Sequence, residues 1–542
     1  MTADPTPRLD PLPVSGPASG PASVPASDYD AVPYPSAPFA QTHPDRLATM
    51  ATLYGLSPAR VDRCRVLELG CGNGANLIPL AVELPDAVLL GIDRAGGAIE
   101  EGRATIRRLG LTNIELRALD VLDFPSDAGS FDYIVAHGLY SWVPPVVQDA
   151  ILAVCAAHLA PDGVAFVSYN ALPGGRVRQI VRDLLRFHAR EADTPREQID
   201  RARAAATDAL AALPDDPSTE LLRRELATIN EKAPGVVFHD DLAPRNEFLQ
   251  FEEFAARAAR HGLQYLAEAD IFEMQDTMLP PAAREQLRRV EAERGIIARE
   301  QALDFLRLRQ FRQTLLCRAD RPLERTLTPA RLRDVRGLRV SSPVAPSPES
   351  RASESRAPVD LRGGAPIEFR GPRGAVLRTD DPLTIGALLA LGTAWPAWLR
   401  LEELLTRAQR LAGLPSDRAH PLALAELVLE AFTAGLARLH VYAPPLVVEA
   451  GRRPVASPLA RLQAEAGPTV TSLLHTNVEV ESAPGSRLLG LLDGTRTRAA
   501  LADDLTTWAL TQPDVALPPP PALARAIDQS LARFGRLGLL LA

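Results

Sequence analysis

Short apolar runs separated by longer amphipathic stretches dominate the first third of the chain. The runs predict buried strands at residues 66–69, 87–93, 114–124, 131–138 and 163–170. The stretches between them, such as 95–109 and 146–160, have the spacing of helices that cover a sheet. Strands that alternate with helices form a doubly wound parallel sheet, whose ligands bind at the carboxyl ends of the strands. The pattern therefore predicts an α/β fold.

The first run leads into a loop in which every second residue is glycine. Gly70, Gly72 and Gly74 follow the strand directly, and a helix is expected at 76–82. Glycines allow a sharp turn and a close approach of the backbone to a ligand. A dinucleotide loop requires G-x-G-x-x-G and a pyrophosphate, whereas this loop is G-x-G-x-G and follows Glu68. Because a carboxylate repels an anion, the loop favours a cationic cofactor without phosphates, such as S-adenosylmethionine (SAM).

Acidic residues at the ends of the next two strands complete the predicted cofactor site. Asp93 lies about 20 residues after the glycines, where a carboxylate can accept both ribose hydroxyl hydrogens. Asp120 and Val121 are placed to contact the adenine amino group and one ring face, and Asp123 could exchange roles with Asp120. Each carboxylate could instead be a solvated strand end or a turn cap. The other predicted cofactor contacts are Cys71, which also suits a small filler of the loop, Asn73, Arg94 and Ala136.

Beyond this loop, the chain resembles class I SAM-dependent methyltransferases of a bacterial branch that carries a methyltransferase-regulatory domain. The branch is similar to protein-lysine methyltransferases that modify outer-membrane proteins. The matching segments are YDAVPYPSAPFAQTHPDRLA (29–48), HGLYSWVP (137–144), SYNALPG (168–174), FHDDL (238–242), FEEFAARAARHGLQYLAEA (251–269), LDFLRLRQFRQTLLCR (303–318) and LLDGTRTRAAL (491–501). One position departs from the branch, because Gly175 stands where an aromatic residue is expected.

The resemblance implies a sheet of seven strands in a catalytic domain that spans residues 28–320. The last long helix is then expected at 251–261, the sixth strand at 263–271 and an antiparallel seventh strand at 313–318. The charged helical stretch at 176–233 becomes an insertion into this domain, and further helix at 280–308 is expected to cover the site.

Aromatic and amide side chains near strands four and five are candidates for the methyl-acceptor site. Methyl transfer from a sulfonium requires the nucleophile, the methyl carbon and the sulfur in line, with water excluded. A lysine amine must also lose its proton from a pKa of about 10.4, which a desolvated aromatic pocket assists.

Seven residues form this candidate acceptor set. We predict that Tyr169 and Asn170 orient the acceptor, that Tyr140 and Trp142 line the channel, that Tyr34 closes over the cofactor, and that His137 and His43 contribute nearby. Each aromatic side chain could instead belong to the core, and His137 could be a structural histidine.

Composition narrows the classes of function. The formal net charge of -8 argues against a general nucleic-acid binder. Lys232 is the only lysine among 59 Lys and Arg residues, as a nucleotide bias toward arginine codons would give. Cys64, Cys71, Cys155 and Cys317 lack metal spacing, and the stretch 239–241 (His-Asp-Asp) suits a fixed loop better than a metal, so no metal is predicted. Because no apolar run reaches about 18 residues, we predict a cytoplasmic protein without membrane insertion.

The remaining segments differ in composition from the catalytic domain. Residues 1–27 have the Pro/Ala/Ser-rich composition of a disordered tail, and 338–358 that of a linker. Helices with short hairpins predict winged-helix-like modules at 359–445 and 446–542. The helix expected at 500–510 carries Asp503 and Asp504 in place of a basic recognition surface. These modules are therefore expected to dock proteins, and the insertion is a possible homodimer surface.

Three functions agree with these observations. The first is a SAM-dependent methyltransferase that acts on a lysine of a bacterial protein. The second is a methyltransferase of a small molecule or secondary metabolite. The third is a non-catalytic SAM-binding regulatory or scaffold protein.

Overall fold

A computed structural model describes Val32 and residues 34–347, 366–415 and 419–542. The predicted tail and residues 348–358 of the predicted linker lie outside this part of the chain. The strands are β1 Arg65–Leu69, β2 Val88–Asp93, β3 Ile114–Ala118, β4 Phe131–Ala136, β5 Leu159–Ala171, β6 Phe248–Leu249, β7 Leu263–Glu268, β8 Phe311–Arg318, β9 Arg339–Ser341, β10 Ala345–Pro346, β11 Ile367–Arg370, β12 Val376–Thr379, β13 Leu399–Arg400, β14 Arg438–His440, β15 Val455–Ala456, β16 Thr469–Thr471, β17 Asn477–Glu479 and β18 Leu540–Leu541.

The helices alternate with these strands in the first part of the chain and dominate the rest. They are α1 Pro44–Leu53, α2 Leu77–Glu83, α3 Gly96–Leu109, α4 Pro145–His158, α5 Gly175–Ala189, α6 Pro195–Ala212, α7 Glu220–Thr228, α8 Pro234–Val236, α9 Phe251–Arg260, α10 Pro281–Arg307, α11 Pro329–Asp334, α12 Pro382–Ala394, α13 Leu401–Ala412, α14 His420–Thr433, α15 Pro458–Gln463, α16 Ala483–Leu491, α17 Arg498–Ala509 and α18 Pro520–Arg536.

Seven strands form the central sheet in the order β3-β2-β1-β4-β5-β8-β7, and β6 pairs with the end of β5. The first five strands are parallel to their neighbours, whereas β8 runs antiparallel between β5 and β7. The predicted doubly wound α/β sheet is therefore confirmed. The strand order reverses between β1 and β4, and ligands bind at such a reversal in open α/β sheets.

The apolar runs form strands because both faces of the sheet are covered. Val66 packs into one hydrophobic cluster, and Leu67 and Leu69 pack into the cluster on the opposite face. Full burial of one such side chain contributes about 1.5–3 kcal/mol. The alternation of these residues between two clusters explains why the run is continuously apolar.

Several strand boundaries differ from the prediction by a few residues, and those of β3 and β5 differ most. β3 ends at Ala118 instead of continuing to Phe124, because the Asp120 carboxylate accepts a hydrogen bond from Leu122 N at 3.0 Å and caps a short 3-10 turn. β5 begins earlier and ends later than predicted, at Leu159 and Ala171.

The insertion between β5 and β6 has its own small core. Its helices α5, α6 and α7 bury residues that include Val181, Leu185, Ile199 and Leu226. A π-helix at Val237–Leu242 then leads back to the sheet. The insertion therefore stands beside the carboxyl edge of β5 as a separately packed unit.

The two C-terminal modules differ in how they pack. The first contains the antiparallel sheets β13-β9-β14 and β10-β11-β12 with helices α12 to α14. The first part of the predicted linker 338–358 therefore belongs to this module, because its strands β9 and β10 pair with later strands. The module shares one continuous hydrophobic cluster with the catalytic sheet. The second contains helices α15 to α18, the hairpin β16-β17 and the pair β15-β18, around a core of its own. The winged-helix interpretation of the first module stays a prediction.

A fully buried arginine holds α10 against the end of the sheet. The Arg312 guanidinium, 0% exposed, donates to Asp304 at 2.9 and 2.8 Å and to Glu268 at 2.5 Å. It also lies 3.3 Å from the Glu300 carboxylate. Three buried carboxylates thus share this cation, and Arg299 and Arg309 also pair with Glu300 and Asp304 at 2.6 and 2.7 Å.

Replacing this cation tests the arrangement. Arg312→Met should lower the free energy of unfolding by about 3–5 kcal/mol, because buried carboxylates lose their counter-charge. Chemical denaturation of the purified protein measures the change. Arg60→Met is the matched control, because the Arg60–Asp62 pair lies at the surface, and it should leave the midpoint unchanged. An Arg312→Met protein as stable as the parent would contradict a structural role for the pair network.

Candidate active site

The glycine loop after β1 adopts a backbone that other residues avoid. The φ angle is +78° at Gly70, +53° at Gly72 and +77° at Gly74, a region that L side chains rarely adopt. The amides of Gly70 and Cys71 both donate to the carbonyl of Ile92, at 2.8 and 3.0 Å. A Cβ on Gly72 would meet no atom within 4 Å. The loop is therefore fixed to the end of β2 and faces open space.

The Asp93 carboxylate lies directly at this loop. Its Oδ2 accepts a hydrogen bond from Gly72 N at 2.8 Å, and its Oδ1 accepts one from Ala95 N at 2.8 Å. Because each carboxylate oxygen has a second lone pair, the half-buried side chain can hold the loop and still accept hydrogens from a ligand hydroxyl.

Glu68 is buried behind the loop. Its Oε1 accepts a hydrogen bond from Asn76 Nδ2 at 2.9 Å, whereas its Oε2 has no hydrogen-bond partner among the described residues. Burial raises the pKa of Glu68 to about 8. A buried acceptor without a donor is costly, and a ligand ammonium group would satisfy it.

Asp120 is linked to the end of β2 by an arginine. Arg94 Nε lies 3.2 Å from Asp120 Oδ2, and Val121 next to it is buried. Asp123 is exposed and is the last residue of the 3-10 turn. Asp120 is thus the better placed of the two carboxylates for a ligand at the switch point.

A leading segment at residues 34–42 crosses from the insertion to the glycine loop. At one end, Tyr34 Oη donates to Asp240 Oδ2 at 3.4 Å, and the Tyr34 ring meets His239 edge-on. At the other end, Phe39 N donates to Asn76 Oδ1 at 2.9 Å. This leading segment therefore bounds one side of the site.

His137 follows β4, after the fully buried Ala136. Its Nδ1 lies 3.0 Å from Ser168 Oγ, and its ring centroid lies 4.0 Å from that of Phe39 and 6.3 Å from that of Phe311. Burial lowers the pKa of His137 to about 4. The imidazole is consequently neutral at physiological pH.

Tyr140 and Tyr169 lie in the core under the site. Tyr169 lies within β5, which continues to Ala171, and not in the loop after the strand. The Tyr169 ring stacks on Phe254 at 4.2 Å, and Tyr140 meets the same ring edge-on at 5.3 Å. Tyr169 is 1% exposed and Tyr140 is 0% exposed, and this burial does not support the predicted contacts with a methyl acceptor.

Three other predicted acceptor residues have structural contacts. Asn170, also within β5, donates from Nδ2 to Asn246 Oδ1 at 2.6 Å. The Arg182 guanidinium lies over the Trp142 ring, with its Cζ 5.8 Å from the ring centroid. His43 caps α1 by accepting a hydrogen bond from Asp45 N. Trp142, half-buried and beside the insertion, keeps access to the carboxyl edge.

A cavity of about 490 Å³ opens at the carboxyl edge between β7 and β8. Three acidic residues (Glu268, Asp270 and Glu273), two arginines (Arg307 and Arg309) and the partly exposed side chains of Leu308 and Phe311 line it. Because the Phe311 ring also contacts His137, the cavity adjoins the end of β4. The sequence analysis did not predict this cavity. Its signal was the set of apolar residues in LDFLRLRQF (303–311), several of which are exposed in the structure.

Three family profiles match separate parts of the chain. Residues 66–163 match the family described as methyltransferase domain, and residues 233–318 match the predicted methyltransferase regulatory domain. Residues 452–513 match the PKMT C-terminal winged helix domain.

Similar proteins occur in Rickettsia. The uncharacterized protein RP028 of Rickettsia prowazekii (strain Madrid E) is 36% identical over 240 residues, which are 44% of this chain and 96% of that protein. The uncharacterized protein RP789 of the same organism is 38% identical over 301 residues, 55% of this chain and about half, 54%, of that protein. The structure of PKMT2 from Rickettsia typhi in complex with AdoHcy superposes with a TM-score of 0.83 at 28% identity, over 94% of this chain and 100% of that one.

The chain belongs to the SAM-dependent methyltransferases. SAM is its cofactor, and the residues at the switch point fit that group. Gly72 leaves room for it, and the Asp93 carboxylate lies at the loop. The buried Oε2 of Glu68 has no hydrogen-bond partner among the described residues. Cys71 packs against β2, since a Cβ on Gly91 would lie 2.7 Å from its sulfur, as expected of a small filler.

Gly175 stands where an aromatic residue is expected, and it lies beside an aromatic ring of β6. A Cβ on Gly175 would lie 2.1 Å from the Phe248 ring. A side chain at position 175 would therefore clash with the Phe248 ring of β6, and glycine fits there.

The predicted loop-fixing role of 239–241 agrees with its contacts. Lys232 Nζ lies 3.1 and 2.9 Å from the two oxygens of the buried Asp241 carboxylate, and Arg178 lies 3.5 Å from Asp240. No group of three or more potential ligands that could hold a metal occurs within the described ranges. In the same part of the chain, no helix is both long and apolar enough to cross the hydrocarbon layer of a membrane.

The close contact between α3 and the glycine loop allows a direct test of the cofactor site. A Cβ on Gly102 would lie 2.3 Å from Asn73 O, so Gly102→Ala should displace the loop and weaken SAM binding about tenfold. Isothermal titration calorimetry measures the affinity. Glu101→Ala, an exposed change on the same helix, is the control and should bind SAM as the parent does. Equal affinities for both variants would show that the loop does not contribute to the site.

Proposed function

We propose that this methyltransferase transfers the methyl group of SAM to a lysine amine of a bacterial protein. The observation that carries the proposal is the likeness to PKMT2, which covers 94% of this chain at a TM-score of 0.83. Residues 452–513 also match the PKMT C-terminal winged helix domain. A likeness confined to the catalytic sheet would leave the acceptor open, whereas this one covers most of the chain.

The switch-point residues are assigned to the cofactor. The sulfonium of SAM supplies a methyl carbon that is open to in-line attack. We assign Asp93 to the ribose hydroxyls, Asp120 and Val121 to the adenine, and Glu68 to the amino group. The loop residues 70–74, with Arg94 and Ala136 beside them, bound the pocket, and Tyr34 stays the predicted cover.

The acceptor is assigned to the cavity between β7 and β8. A lysine amine is cationic before transfer, and the three acidic residues of this cavity outnumber its two arginines, Arg307 and Arg309. Glu273 pairs with these arginines and Glu268 with Arg312. We assign Asp270, the third acidic residue of the cavity, to the lysine amine. Leu308 and Phe311 provide apolar surface for its methylene groups. Neutral His137 adds no positive charge beside a sulfonium or an approaching ammonium, and it aligns the wall through its contact with Phe311.

The wider interactions also remain proposals. The insertion presents Ile180 and Phe187 at 56% and 58% exposure, seven residues apart on α5, and this face is the candidate homodimer surface. The predicted cytoplasmic location and the predicted absence of nucleic-acid binding are kept as predictions.

Incubation with methyl-labelled SAM tests the acceptor class. The parent protein and a bacterial lysate should yield labelled methyl-lysine in protein hydrolysates. Lys232→Arg serves as the background, because it removes the only side-chain amine of the enzyme itself. Label confined to small molecules would contradict the protein acceptor, and no transfer at all would favour a SAM-binding scaffold.

The Glu68 carboxyl predicts how SAM affinity depends on pH. With its pKa at about 8 in the free protein, Glu68 is protonated below that pH, and an ammonium group favours the carboxylate. Binding then releases a proton, so affinity should rise by up to about tenfold per pH unit from pH 6 to 7.5. Calorimetry in buffers of different ionisation enthalpy measures the released proton. Glu68→Gln should bind more weakly and without this slope, whereas a parent affinity independent of pH would refute the assignment.

A further inference from the structure

The second C-terminal module reaches the back of the glycine loop through the tip of one hairpin. The strands β16 and β17 pair antiparallel, and the turn between them is closed by Ser472 N donating to Thr476 O at 2.9 Å. His475 occupies this turn with φ +56° and is 2% exposed. A histidine in this left-handed region is uncommon, and it persists where the surroundings hold it.

The His475 side chain bonds to the residue that holds Glu68. Its Nε2 lies 2.8 Å from Asn76 Oδ1. The orientation of the Asn76 amide is fixed, because Phe39 N donates to the same oxygen at 2.9 Å and Asn76 Nδ2 faces Glu68 Oε1. The imidazole must therefore donate from Nε2. Burial lowers the pKa of His475 well below its usual range, which agrees with a neutral ring carrying one N–H.

Further contacts hold the same module against the cofactor half of the sheet. Helix α15 packs on α2, the helix that follows the glycine loop. Arg108, at the end of α3, pairs with Glu465 at 2.8 Å. The hairpin tip is thus held at Asn76 by its own module and by the helices on both sides of the loop.

We propose that His475 is a positioning residue of the cofactor site, and that the docked C-terminal module sets the SAM affinity of the catalytic domain through Asn76 and Glu68. His475 Nε2 donates to Asn76 Oδ1 and so fixes the Asn76 amide. The amide in turn holds Glu68 Oε1, and Glu68 Oε2, which has no partner among the described residues, is left for the ligand. Without the hairpin, the buried amide loses one of its partners, and Glu68 loses its fixed orientation. The coupling is reciprocal, so SAM should also stabilise the hairpin.

Substitution at 475 tests the hydrogen bond. His475→Leu should weaken SAM binding about five- to tenfold, as loss of one buried hydrogen bond predicts. It should raise the KM for SAM with little change in kcat. His475→Gln, which keeps a donor at the same reach, should recover most of the affinity. His440→Leu is the matched control, because His440 joins the first module to Asp45 at 2.7 Å and does not touch Asn76, and its SAM affinity should equal that of the parent.

A second measurement needs no substitution. Hydrogen–deuterium exchange on the intact protein should show that SAM slows exchange in residues 472–476. The inference rests on the proposed cofactor site, and the two fail separately. A parent protein that does not bind SAM would overturn the proposed function. If the parent binds SAM, any one of three results would overturn the role of His475 alone. These are a folded His475→Leu protein with the affinity of the parent, a His475→Gln protein that binds no better than His475→Leu, and unchanged exchange at residues 472–476.

Discussion

A single buried hydrogen bond, from Asn76 Nδ2 to Glu68 Oε1, organises the cofactor half of this protein. A carboxyl group taken out of water requires a donor, and the nearest one is the amide at the start of the helix after the glycine loop. That amide is satisfied in turn from two distant parts of the chain, the leading segment and the C-terminal hairpin. The glycine loop, the entrance of the site and the last module therefore meet at one side chain.

Much of this fold could be predicted because its determinants are local. The run from Val66 to Leu69 is apolar on both faces, and the glycines that follow require positive φ. These two constraints fix a strand and a turn without knowledge of any distant residue. The position of Asp93 followed from the same logic, since one strand, one helix and one further strand return the chain to a known place at the sheet edge.

The errors arose where neighbours come from far along the sequence. Because β5 is buried on both faces, its sequence carries no period that tells which face Tyr169 occupies, and only the contact with Phe254 shows that this side chain is in the core. Asn76 lacked any signal for its role, because its partner His475 lies 399 residues away. Gly175 departs from the expected aromatic residue, and only the neighbouring Phe248 ring explains why a side chain does not fit there. In each case the decisive contact is tertiary, while the sequence pattern reports only local geometry.

The single lysine has a consequence for the proposed transfer of methyl groups to lysine. Lys232 is engaged with both oxygens of the Asp241 carboxylate, and every other Lys or Arg position carries a guanidinium, which is never deprotonated in proteins. Under the proposed function, each copy of the protein presents one side-chain amine to its neighbours, and that amine is already paired with a carboxylate. Methylation of the enzyme by other copies of itself then competes little with methylation of the protein substrate.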